Sequence, residues 1–141
     1  MALTRREMLA GLGAGLALAG PVWSGTTLGA MRIDTLSDGN LALPGDFIFG
    51  PMPQQALTPI LRKYDLDRDS LTPGCNLTLL RDDERTVLFD AGAGPDFQPS
   101  AGKLQAAFDA LGLSPDDITH VVVTHGHPDH IWGLLDDFGD P

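Results

Sequence analysis

Seven residues near the end of the chain, Thr124 to His130, read THGHPDH and hold three of its four histidines together with an aspartate. Just before them, Ile118 to His125 reads ITHVVVTH, a β-branched run with little alternation. That pattern predicts a strand buried on both faces. After them, DHIWGLLDDF predicts a helix from Asp129 onward. A crowd of titratable side chains is thus set where a buried strand hands over to a helix. The carboxyl end of a strand in an α/β sheet is where sites form. Buried there without partners, these groups would cost about 1–3 kcal/mol each.

The spacing says how they can be used. His125 and His127 are two apart, and on extended backbone such residues face the same way. Pro128 keeps His127 out of the α region, and Gly126 permits a tight bend between the imidazoles. The two rings can therefore converge on one point. Asp129 and His130 come at the helix entry and can converge on a second point nearby. Neutral imidazoles and a carboxylate suit zinc and similar divalent ions. Two close metals would activate a water towards a neutral-pH nucleophile and polarise a carbonyl or phosphoryl oxygen.

The rest of the chain predicts one mixed α/β domain. Met31 to Leu36 has the character of a first strand, and SDGN after it is turn chemistry. Leu41 to Pro59 is rich in Pro, Gly and Phe without clear periodicity, and is expected to form a long ordered loop. Its Phe47, Phe49 and Met52 are candidates for an apolar lid over a substrate, or for packing on the sheet. Ile60 to Asp65 suggests a helical turn. CNLTLLR and TVLFD, separated by DDE, predict a hairpin, with Leu77, Leu79, Val87 and Phe89 at strand spacing. AGAGPDFQPSAG is loop. Gly102 to Leu111 carries Leu104, Ala107, Phe108 and Leu111 at helical spacing, and Gly112 is placed to cap it. Ser114 to Asp117 is a helix-start signal for one further turn.

Composition narrows the function. A chain of 141 residues can bury a real core. Its net charge of −10 argues against nucleic acid as a partner, because phosphate binding needs basic patches. The single cysteine, Cys75, excludes an internal disulfide framework and a Cys-rich zinc site. At the other end, Arg5 and Arg6 precede an apolar run from Met8 to Ala19 that is shorter than the ~20 residues a bilayer span requires. A basic start, a short apolar stretch and small residues after it predict a signal peptide over residues 1–30. TRREML is similar to the twin-arginine type, with cleavage expected near residue 19 or 30. The expected location is periplasmic or secreted, with no stable membrane anchor after the leader is removed.

HGHPDH has the form His-x-His-x-Asp-His and resembles the metallo-β-lactamase superfamily. TVLFDAGAG resembles that family's strand ending in an Asp-x-Gly turn, and DDITHVVVTHGHPDHIWGL is similar to its motif segment throughout. The likeness covers about Met31 to Pro141. LSDGNLALP with the loop after it resembles the branch that contains quorum-quenching lactonases and methyl parathion hydrolase.

The resemblance implies an α/β fold, the first half of an αββα sandwich. It implies that His125 and His127 bind one metal, and that Asp129 and His130 bind a second. It gives Asp129 a catalytic part as well, orienting a water or moving a proton. Asp90 matches an aspartate that orients a ligand histidine. Thr124 either donates a hydrogen bond there or only ends the strand. His120 fits no ligand position and is expected to be structural. Cys75 is expected to be a small core residue. The pattern's remaining ligands lie downstream of Pro141, so residues 31–141 are expected to be a C-terminally truncated domain. The implied cofactor is zinc, two ions in a complete site, with iron or manganese as alternatives. The implied activity is metal-dependent hydrolysis of a small ester, lactone or related bond. An iron-binding oxidoreductase, a thioester hydrolase of the same fold, and an inactive metal-binding fragment are the alternatives. The partner is a small-molecule substrate, and no oligomeric state is implied.

Overall fold

The computed structural model describes residues 22–135. Five strands make one sheet in the order β1 (Val22–Leu28), β2 (Met31–Asn40), β5 (Gly74–Arg81), β6 (Thr86–Phe89) and β7 (His120–Val122). The first four pair antiparallel, while β6 and β7 run parallel. A helix, α3 (Leu104–Leu111), and a 3-10 turn (Pro115–Asp117) make the crossover between β6 and β7. The expected hairpin, the amphipathic helix with Gly112 as a left-handed cap (φ 66°), and the Ser114 capping box are all present.

Period-two alternation builds the core. Leu36 from β2, Leu77 and Leu79 from β5, and Leu88 from β6 pack on Ala107 and Phe108 of α3. Within β6 the buried residue is thus Leu88, and Val87 and Phe89 are half-buried. The antiparallel register sets Leu88 opposite Leu79 on the core face.

Three expectations differ from the structure. SDGN is not a turn after β2 but the end of β2 itself, where the register to β5 shifts between Ser37 and Asn40 and Gly39 takes φ 91°. Turn-forming residues here make a bulge within a strand. Leu41 to Pro59 is not a long loop. It contains a short pairing of β3 (Leu43–Pro44) with β4 (Ser70–Leu71), then α1 (Gly45–Phe49) and α2 (Gln54–Lys63). Proline and glycine hid these helices: Pro53 precedes α2, and Pro59 lies inside it on an exposed position. Leu57 and Leu61, four residues apart, bury against Phe49 and hold the helix in spite of Pro59. Phe49 is therefore core, whereas Phe47 and Met52 are exposed at 74% and 42%. Finally, β7 is an edge strand, with Val121, Val122 and Val123 exposed rather than buried. Its pattern is that of a covered strand, but among the described residues no element packs over it.

The predicted helix after the motif is a short one, α4 (Pro128–Ile131), followed by a 3-10 turn (Trp132–Leu134), and residues 136–141 lie outside the described residues. The expected leader lies outside them up to residue 21. Val22–Leu28, within the same expected span, forms β1 on β2. No helix among the described residues is long and apolar enough to cross a membrane.

One buried charge shapes the β2–β5 pair. Asp34 is fully buried, with Arg32 Nε 3.0 Å and Arg81 Nη2 2.6 Å from its Oδ2. Arg32 and Arg81 are register partners across β2 and β5, so the two cations flank the carboxylate. A buried charge is tolerable only when paired in this way. Burial pushes the Asp34 carboxyl up, but the hydrogen bonds from Arg32 and Arg81 outweigh it and hold it below the usual range. A depressed folded value stabilises above the unfolded pKa, and that contribution disappears as pH falls through the folded value. Asp34→Asn should therefore lower the melting temperature at pH 7. The gap to the native chain should narrow as pH drops below about 3.9. Circular-dichroism melts between pH 7 and 3 check this, and a gap that stays constant would contradict it.

Candidate metal centre

β6 ends at Phe89, and Asp90 then takes a left-handed conformation, φ 65°. This costs a non-glycine residue about 1–2 kcal/mol. Two backbone bonds hold it there: Asp90 N–H donates to Val122 O at 2.9 Å, and Ala91 N–H donates to His130 O at 2.8 Å. The turn swings the carboxylate under the end of β7, where it gathers the motif. Thr124 N–H donates to Oδ1 at 2.7 Å, and Thr124 Oγ1 lies 2.8 Å from Oδ2. His130 Nδ1 lies 2.8 Å from Oδ2. Burial alone would raise the Asp90 carboxyl, but the bonds from Thr124 and His130 prevail and keep it ionised below the usual range.

The same bonds assign protons on the imidazoles. A carboxylate only accepts, so His130 Nδ1 carries the proton and its Nε2 keeps a free lone pair. The Thr124 hydroxyl has one hydrogen, and Asp90 takes it. Thr124 Oγ1 then accepts from His125 Nδ1, 3.1 Å away, which leaves His125 Nε2 as an acceptor. One carboxylate thereby presents two ligand-competent nitrogens.

The ring positions follow. His125 Nε2 lies 3.1 Å from His127 Nδ1, and the His125 and His130 ring centroids are 3.9 Å apart. The two pairs expected to aim at separate points form one contiguous cluster. Asp129 Oδ2 lies 3.4 Å from His130 Nε2. Among the described residues, no group of three or more His, Cys, Asp or Glu side chains is arranged to hold an ion. The donors nevertheless suit one. Zinc–nitrogen bonds of about 2.0–2.1 Å in a tetrahedral site leave ligand nitrogens about 3.3 Å apart, close to the His125–His127 separation. The chemistry fits a divalent metal, with pairs of donors already convergent.

His120 stands apart at the start of β7, with Thr119 Oγ1 at 2.9 Å from its Nδ1. Cys75 is half-buried on the wall of a pocket that Asp90, Asp129 and His130 also line. Burial raises its thiol pKa, with Asp38 and Asp129 adding to the effect. It is thus less of a core residue than its strand position suggested.

Asp38 is a functional support that its sequence context does not reveal. Fully buried, it accepts from Ala93 N–H and from Leu104 N–H, both at 2.8 Å. The first bond pins the loop after Asp90, and the second caps α3, whose own residues supply no side-chain cap. Asp38 was hidden by its place in a turn-like SDGN. The only available signal was a carboxylate two residues from Leu36 on the core face of a strand.

The metallo-beta-lactamase superfamily profile matches residues 72–136, a span that includes β5, β6, Asp90 and the whole THGHPDH stretch. Among solved structures, AidC, a dizinc quorum-quenching lactonase in complex with the product N-hexnoyl-L-homoserine, is 26% identical with a TM-score of 0.75. The alignment covers 85% of this chain and 42% of that one. The hydrolase AbOPH of the beta lactamase superfamily is 28% identical with a TM-score of 0.74, covering 84% and 40%. A probable metal-dependent hydrolase from Staphylococcus aureus is 25% identical with a TM-score of 0.65, covering 81% and 44%. No curated protein sequence shows a significant match. Residues 72–136 thus match the metallo-beta-lactamase superfamily, and the chain spans about two fifths of the length of these structures.

Two substitutions separate the site's supports. Asp90→Asn should weaken zinc binding about 10–100-fold, measured by competition with a chromogenic chelator. Asp38→Ala leaves two backbone N–H groups without their acceptor and should cost about 2 kcal/mol or more in urea unfolding.

Proposed function

We propose that the protein is a divalent-metal-dependent hydrolase that opens a small ester, lactone or related bond, with zinc as the metal. The observation that carries this is the Asp90 carboxylate, which fixes the Nε2 lone pairs of both His125 and His130. A structural role for these histidines would not require both rings to be held in the metal-ligating tautomer. The likeness to AidC, a dizinc lactonase, and to the hydrolase AbOPH supports hydrolysis over redox chemistry.

In this reading His125 and His127 hold one ion, and Asp129 and His130 hold a second. A bound metal supplies Lewis acidity and lowers the pKa of water. The chain's own residues do the remainder. Thr124 and Asp90 lock the rings. Asp129, half-buried beside His130 Nε2, accepts a proton or orients the attacking water. Exposed Phe47 and Met52 on the segment around α1 offer apolar contact to an acyl group, while Phe49 is committed to the core. The twin-arginine-like start supports a periplasmic or secreted location for this activity.

Hydrolysis of chromogenic esters and lactones by the complete protein tests this. Activity should vanish on chelation and return with zinc. Activity that survives metal removal, or none in metal-loaded protein, would contradict it.

A further inference from the structure

We propose that Gly133 is a positioning residue for the metal centre. By lacking a Cβ it lets α4 close on the turn after Asp90, and this closure sets His130 on the Asp90 carboxylate while His125 is held by another route. The inference rests on the metal-dependent reading above for what the rings bind, but not for how they are placed.

Two backbone bonds of opposite sense clasp the turn to the segment carrying His130. Ala91 N–H donates to His130 O at 2.8 Å, and Gly133 N–H donates to Gly92 O at 3.1 Å. The approach leaves no room for a side chain at position 133. A Cβ there would stand 1.9 Å from Ala91 O and 2.9 Å from its carbonyl carbon. Real Cβ atoms essentially never come closer than 3.0 Å, so roughly 1 Å would have to open. Gly133 is not among the glycines with positive φ, so it is space and not backbone conformation that calls for glycine here.

The turn cannot give way on its far side. Gly92, at φ 79°, rests on Asp38, whose Oδ2 would lie 2.7 Å from a Cβ added there. The same oxygen holds Ala93 N–H at 2.8 Å, and Asp38 is fully buried. With the turn backed in this way, a methyl group at position 133 must move α4 instead. His130 moves with it, because it lies three residues away and is bonded to Ala91 through its carbonyl and to Asp90 through Nδ1. Working sites hold their groups within about 0.5 Å, so a displacement of about 1 Å is enough to part that ring from the carboxylate. His125 Nδ1 instead meets Thr124 Oγ1, which Asp90 and not α4 secures.

The test reads the imidazoles of the complete protein by long-range proton–nitrogen NMR after its metal has been removed. In the native protein His125 and His130 should both carry the proton on Nδ1. Gly133→Ala should move the His130 proton towards Nε2 and leave His125 unchanged. In chelator competition the same variant should weaken one zinc ion about tenfold and spare the other. A merely structural glycine would lower stability and leave the His130 tautomer as it was. An unchanged His130, or an equal change at both rings, overturns the proposal. If Gly133→Ala does not fold, hydrogen exchange of the native protein decides. By linkage, zinc must favour the closed clasp if the clasp favours zinc. The Ala91 and Gly133 amides should then gain more protection on adding zinc than amides of β2 and β5, and an equal or smaller gain overturns the proposal. If the complete protein binds no zinc, the metal reading fails by itself, and the imidazole spectra still judge Gly133.

Discussion

The carboxylate of Asp90 is the constraint on which the site depends. It is reached through a left-handed turn that few residues accept, and that turn is held by backbone bonds to β7 and to α4. Once there, the group meets Thr124 twice and His130 once. Strand end, loop and helix entry are thereby tied to one anion. Ring orientation and proton placement at His125 and His130 both follow from it. A site assembled from separate hydrogen bonds would leave each imidazole free to rotate, and its lone pairs would be aimed only part of the time.

Asp38 extends the same logic one layer back. It joins β2 to the loop after Asp90 and to the first turn of α3, so the packing of Phe108 on the leucine core and the placing of Asp90 are mechanically linked. Both aspartates are buried anions that accept from N–H groups, the arrangement in which a buried charge is least costly. Asp34 does a different task on the same strand, using two arginines rather than amides.

How much of this was legible beforehand depends on range. The hairpin, α3 with its Gly112 cap, and the Ser114 box rest on local chemistry within a few residues, and they stand where the pattern put them. The metal motif was legible because four donors fell within six residues of one another. Asp90 was legible only through its likeness to a family turn, since its partners are thirty or more residues away. Asp38 was not, because SDGN satisfies turn statistics and a strand bulge equally well. Helices α1 and α2 were obscured by Pro53 and Pro59, whose local penalty is overridden by burial of Leu57, Leu61 and Phe49. The three valines of β7 announced a covered strand, and burial there depends on a second layer that the described residues do not supply.

The measurement that bears most directly on the central claim is a crystal structure of the complete, zinc-loaded protein with anomalous data at the zinc edge. The account predicts anomalous peaks within bonding distance of His125 and His127 and of Asp129 and His130. It also predicts that Nε2 is the ligating atom of His125 and of His130, with Asp90 still on His130 Nδ1. Peaks elsewhere, no peak at this cluster, or ligation of His130 through Nδ1 would contradict it.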